Sequence, residues 1–173
     1  MVAVETLRRA VAGVGRLVSW LTLAMVLVTF AVVLLRYGFN LGWIWLQETV
    51  TYLHAAVFML AAAWALQGDG HVRVDVFYRD RSERHKAWVN LAGTALFLVP
   101  LCVFFLISSW DYVLRSWQVM EGSREAGGLP LVFLLKSLIL LLPTLLLMQS
   151  VCQLIDSFRL LRGRGFSGAN LDA

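Results

Sequence analysis

Between Leu17 and Leu35 the chain runs for nineteen residues without a charge. That is about the length of helix needed to cross the ~30 Å hydrocarbon core of a bilayer. Three more long apolar runs follow, Trp43–Leu66, Trp88–Trp110 and Leu131–Leu154. A backbone in lipid must satisfy its own hydrogen bonds, which leaves helices or a closed barrel, and runs of this length are helical. Composition agrees: 60% of the 173 residues are hydrophobic, 15% are charged, and mean hydropathy is +0.74. A soluble domain covers its core with more charge than this. The chain therefore reads as an all-α integral membrane protein with four transmembrane helices, about 17–37, 43–66, 88–110 and 130–154. Residues 1–160 form one membrane domain with no room for a separate soluble one, and 161–173, rich in glycine, are expected to be a disordered tail.

Arg8, Arg9 and Arg16 precede the first run, as charges precede a signal peptide. The run is longer than a signal core and ends Leu-Leu-Arg-Tyr without a small-residue cleavage site, so it is expected to be a retained span. Trp43 and Trp45 open the second run where an interfacial aromatic belt would sit. Further along, Ala61 and Ala65 form a small-xxx-small pair suited to close helix packing. The charged stretch Gln67–Ala87 alternates Val72, Val74 and Val76 with Arg73 and Asp75, and is expected to be a loop leading to a short surface-lying segment. Pro100 should kink the third span. Beyond it Trp110, Val113, Leu114 and Trp117 share a helical face that Asp111 and Arg115 avoid. The third helix should therefore project past the membrane as an amphipathic extension ending near Gly122. A charged turn follows, Glu121 to Pro130, and then the fourth span with Lys136 near its start and Pro143 inside it.

Basic residues set orientation. The N-terminus, the Gln67–Ala87 loop and the tail (Arg159, Arg162, Arg164) together hold eleven Lys and Arg. The opposite side holds four: Arg36, Arg115, Arg124 and Lys136. Both termini are thus expected in the cytoplasm, with the extension of the third helix in the periplasm. The net charge of +4 belongs to these topology signals and to lipid headgroup contacts, with no nucleic-acid role expected.

Ionisable groups inside spans are costly and mark function or pairing. Glu48 has two readings: a proton or cation site, or a fastening at the outer boundary of the membrane, paired with Arg36 or Lys136 or in contact with a partner subunit. The second is preferred, because a carboxylate near the boundary pairs cheaply. His54 is the only histidine within a span. A membrane haem would want a facing partner, so a hydrogen-bonded packing role is expected. Cys102 and Cys152 lie far apart in apolar runs and read as packing residues, not a redox or zinc pair. No nucleophile stands near a base with an orienting partner, and Gly127-Gly128 lacks the lysine and strand context of a phosphate loop. Catalytic, cofactor and metal residues are therefore not expected. Nor do the spans carry enough polar side chains, or a clear internal repeat, for an autonomous transport pathway.

Three stretches in order carry a family resemblance: Arg36-Tyr37-Gly38-Phe39-Asn40 with Trp45-Leu46-Gln47-Glu48; Gly70-His71-Val72-Arg73-Val74-Asp75; and Glu121-Gly122-Ser123 with Gly127-Gly128-Leu129-Pro130 and Lys136. Together, over about Leu17–Leu154, they resemble the small membrane subunit (DctQ type) of tripartite ATP-independent periplasmic (TRAP) transporters. The third stretch is similar to the mannitol, chloroaromatic and 2-oxoacid branch.

The resemblance implies a three-part importer. A periplasmic substrate-binding protein captures an organic anion, and a large multi-span permease subunit moves it inward with sodium. The small subunit braces the large one and helps present a periplasmic docking surface. Sodium and substrate sites belong to the large subunit, expected as a separate polypeptide, so no cofactor is transferred to this chain. Under this reading Arg36, Glu48 and Lys136 are structural ion-pair candidates. Trp43, Trp45, Trp110, Trp117, Glu121, Ser123, Arg124, Glu125, Gly127 and Gly128 are subunit or periplasmic docking candidates. His71, Arg73 and Asp75 form a cytoplasmic surface motif. The competing readings are a membrane anchor for a respiratory enzyme, or less favourably an autonomous small transporter.

Overall fold

The computed structural model describes residues 2–68, 70 and 81–162. They form four helices: α1 (Val2–Gly38), α2 (Ile44–Gln67), α3 (Glu83–Gln118) and α4 (Val132–Leu161). Each contains a window long and apolar enough to cross a membrane. The four-helix, all-α reading stands, but three helices outrun their apolar stretches. The 37 residues of α1 reach about 55 Å, so its charged first four turns extend the helix beyond the hydrocarbon. Likewise α3 begins at Glu83, where the Ser82 hydroxyl caps the helix by accepting from the His85 amide at 3.4 Å. The last residues of the expected surface loop are thus helical. His71, Arg73 and Asp75 lie outside the described residues, as do 163–173 of the expected tail, while Asp156 and Arg159 belong to α4.

Among the described residues α4 packs on all three other helices, α1 and α2 pair with each other, and α3 touches only α4. The interior is accordingly thin. Its apolar members are mostly small or mid-sized: Val11, Val18, Ala63, Ala87, Cys102, Val113, Phe133 and Cys152. Large side chains such as Trp20, Phe30, Phe97 and Ile107 point outward, as suits a surface solvated by lipid or by another protein. Close approach of α1 and α2 centres on Gly15, where a Cβ would fall within 2.8 Å of the Trp64 ring. The Ala61/Ala65 pair is only half-buried, and Ala63 is the buried alanine.

Pro100 acts through a π turn. Residues Thr94–Leu98 widen into π-helix, and the Val99 amide donates to the Thr94 carbonyl five residues back. A proline ring crowds the carbonyl four residues earlier and removes an N–H. Widening the turn ahead of it absorbs both. Pro143 is buried within a continuous α4.

The bundle has two polar ends. At one, Arg8 on α1 pairs with Asp156 on α4, and the Gln67 side chain donates to the Arg8 carbonyl at 3.4 Å. The starts of α1 and α3 and the finishes of α2 and α4 therefore share this end. Cys152 sits beside it, fully buried, its thiol 3.8 Å from the Val4 carbonyl. The other end is organised around Glu48.

Candidate functional site: a carboxylate-fastened turn

The connection from α3 to α4 is compact. The third helix stops at Gln118, short of the expected Gly122, and Met120 turns the chain at φ 46. Glu121 then folds back: its amide donates to the Ser116 carbonyl at 3.0 Å, and its carboxylate accepts from the Ser116 hydroxyl at 2.7 Å. The same carboxylate receives the ammonium of Lys136 on α4, which lies 4.0 Å over the Tyr112 ring. Lys136 and Ser116 donating to it hold the Glu121 carboxyl below its ordinary range. Nearby the Trp117 indole donates to the Ser137 hydroxyl at 2.8 Å and packs edge-on against Phe133, centroids 4.7 Å apart.

Beyond Glu121 a small loop closes on itself. The Ser123 amide donates to the Leu129 carbonyl at 2.9 Å, and the Gly128 amide to the Glu125 carbonyl at 3.0 Å. Gly127 stands at φ +80, a region other residues enter at a cost. Two donors of this loop point at α2. The Ser123 hydroxyl donates to one oxygen of Glu48, and the Leu129 amide donates to the other at 2.6 Å. A Cβ on Gly128 would fall 2.6 Å from the Ser123 Cβ and 2.8 Å from Glu48 Oε2. Glycine is required there so that the loop can lie against the carboxylate.

Glu48 therefore takes neither partner suggested by charge counting. Lys136 is committed to Glu121, and Arg36 is exposed in the last turn of α1. The turn places a serine hydroxyl and a backbone amide closer to Glu48 than either cation. Ser123, Gly128 and Glu121 are thus drawn into one fastening with Glu48 and Lys136, while Arg124, Glu125 and Gly127 stay exposed at its tip. Trp43, Trp45, Trp110 and Trp117 are each roughly half exposed. Along the extension of α3 only one edge of the expected apolar face turns inward: Val113 is buried together with the neighbouring Ser116, leaving Trp110 and Leu114 outside. The reason is the Ser116–Glu121–Lys136 network, which pulls that edge onto α4.

His54 also departs from expectation. It is exposed on α2, in a stripe with Gln47, Thr51 and Phe58, and does not pack within the chain. Sequence reasoning found the histidine, but facing direction needed the neighbouring helices. Among the described residues no three or more His, Cys, Asp or Glu gather as a metal site.

The family model described as "Tripartite ATP-independent periplasmic transporters, DctQ component" matches residues 25–160, from the membrane part of α1 almost to the end of α4. The chain belongs to the DctQ family. It is also similar to the C4-dicarboxylate TRAP transporter small permease protein DctQ of Vibrio cholerae serotype O1, at 30% identity over 96 residues. That similarity spans 56% of this chain and 41% of the relative. No solved structure matches. The family takes its description from a component of TRAP transporters, and the four helices long and apolar enough to cross a membrane suit a multi-pass membrane protein. The fastened turn lies inside the matched region.

Proposed function

We propose that this DctQ-type chain is the non-catalytic scaffold subunit of a sodium-coupled, binding-protein-dependent importer of organic anions. It braces a large multi-span permease subunit in the bacterial inner membrane and helps form the surface on which a periplasmic binding protein docks. Both termini are cytoplasmic in this reading, supported by the eleven-to-four bias of basic residues. The end bearing the Glu48-fastened turn then faces the periplasm. Sodium and substrate are handled by the large subunit.

The observation that carries the bracing role is His54. Lipid-facing hydroxyls elsewhere satisfy themselves on their own helix: exposed Thr29 and Thr144 each donate to the carbonyl four residues back at 2.7 Å. Among the described residues the His54 imidazole makes no such bond, and bare exposure to hydrocarbon is costly. The Gln47–Thr51–His54 stripe is therefore read as the face covered by a partner's transmembrane helices. The exposed Arg124 and Glu125, held on a rigid loop, suit salt-sensitive contact with a soluble partner.

The test is co-purification followed by reconstitution. A large multi-span protein should copurify with the chain, and a photo-reactive residue at position 54 should cross-link to it. Sodium-dependent uptake should appear only with both membrane subunits and the binding protein present. Cross-linking of position 54 to lipid alone, or uptake undiminished without this chain, would overturn the reading.

A further inference from the structure

At the end of the bundle opposite the fastened turn, an open cleft of about 430 Å³ lies between α3 and α4. Leu91, Leu154, Ile155 and Phe158 form its apolar wall, and Arg159 and Arg162 stand at its rim. Ile155, Phe158, Arg159 and Arg162 are spaced i, i+3, i+4, i+7, so one face of α4 passes from apolar to cationic within two turns. The α3 side repeats the gradient in reverse: Arg84, Trp88 and Leu91 share a stripe, with Arg84 and Trp88 exposed. Arginine, tryptophan and aliphatic side chains thus follow one another from both helices in the order headgroup, interface and acyl chain. Asp156, the one acid of α4, is paired with Arg8, and Glu83 with Lys86. Arg162 stacks 4.2 Å over the Phe158 ring, which holds its guanidinium at the rim.

We infer that this cleft binds an anionic phospholipid, its phosphate between Arg159 and Arg162 and its acyl chains against Leu91, Leu154 and Ile155. Charge complementarity selects the occupant: basic pockets between helices at the membrane surface take acidic headgroups, whereas zwitterionic lipid gains little from two arginines. This inference does not rest on the transport reading, since the cleft lies within this chain.

The full chain is placed in nanodiscs of equal phosphatidylglycerol and phosphatidylcholine and released for native mass spectrometry. Preferential retention of phosphatidylglycerol is expected on the wild-type chain. In the Arg159→Gln/Arg162→Gln variant it should fall roughly tenfold or more, while an Arg9→Gln/Arg36→Gln variant, which removes two exposed arginines elsewhere, retains it. Excess inorganic phosphate should not displace the lipid, because the apolar wall contributes to its hold. Equal retention of the two lipids by the wild type overturns the inference without recourse to any variant. So does undiminished retention in the Arg159→Gln/Arg162→Gln variant, displacement by phosphate, or cross-linking of a photo-reactive residue at Leu91 to a protein instead of a lipid in whole membranes.

Discussion

Replacing Gly128 with alanine adds one methyl group at the most crowded point of the fastened turn. Its Cβ would lie 2.6 Å from the Ser123 Cβ and 2.8 Å from Glu48 Oε2, both well inside van der Waals contact. Neither neighbour can retreat freely, because Ser123 is bonded through its amide to Leu129 and through its hydroxyl to Glu48. The next amide in the chain, that of Leu129, is itself held by Glu48. The loop must open, and overpacking of this kind costs about 1–3 kcal/mol. At roughly 1.4 kcal/mol per tenfold, the fastened state should lose about one to two orders of magnitude in population relative to an opened loop. Hydrogen exchange of the Ser123 and Leu129 amides in nanodiscs reads this directly, and both should exchange faster by that factor. Gly42→Ala is the control, since a Cβ there meets nothing within 4 Å. Unchanged protection of Leu129 in Gly128→Ala would refute the reasoning that this glycine exists to admit the carboxylate.

Gly15→Ala should lower the Tm of the purified chain by the equivalent of about 1–2 kcal/mol as Trp64 is displaced, whereas Gly13→Ala, with open space around it, should raise stability by up to about 1 kcal/mol; equal effects at both sites would count against the α1–α2 contact. Trp117→Phe keeps the edge contact with Phe133 but loses the indole donor to Ser137, and should cost about 0.5–1.5 kcal/mol in thermal unfolding; no shift at all would mean that the hydrogen bond is not formed in the membrane. Because the Glu121 carboxyl is held below its ordinary value of 4.5, its stabilising contribution is complete above that value and is lost as pH falls through the lower folded-state value. Tm should therefore show no Glu121-dependent change from pH 5 to 8, and a loss within that window that Glu121→Gln abolishes would contradict the assignment.

The four spans were legible because hydropathy is a property of the sequence itself: uncharged runs of the right length admit few alternatives. What extended the helices was less visible. Val2–Arg16 carries charges and glycines that read as a lead-in, yet Arg8 meets Asp156 and Gly15 accepts Trp64, contacts made 148 and 49 residues away in sequence. Pro100 announced a disturbance but not its form, a π turn over Thr94–Leu98. Glu48 was recognisable as a group in need of partners. Its partners were not, because the Leu129 amide has no side-chain signature and the charges nearest in topology, Arg36 and Lys136, looked better qualified. The signal available was the glycine pair at 127 and 128 beside Ser123, a loop built to expose donors. His54 shows the reverse case, a residue whose type was informative and whose facing direction was not.

The central claim is that Glu48 fastens the α3–α4 turn to α2 and does not carry an ion. The most direct measurement is sodium-dependent uptake by proteoliposomes containing the assembled complex with Glu48→Gln, normalised to the amount of complex recovered. The account predicts a reduced yield of complex and, per complex, the wild-type dependence of uptake on sodium. A normal yield with sodium dependence abolished would contradict it.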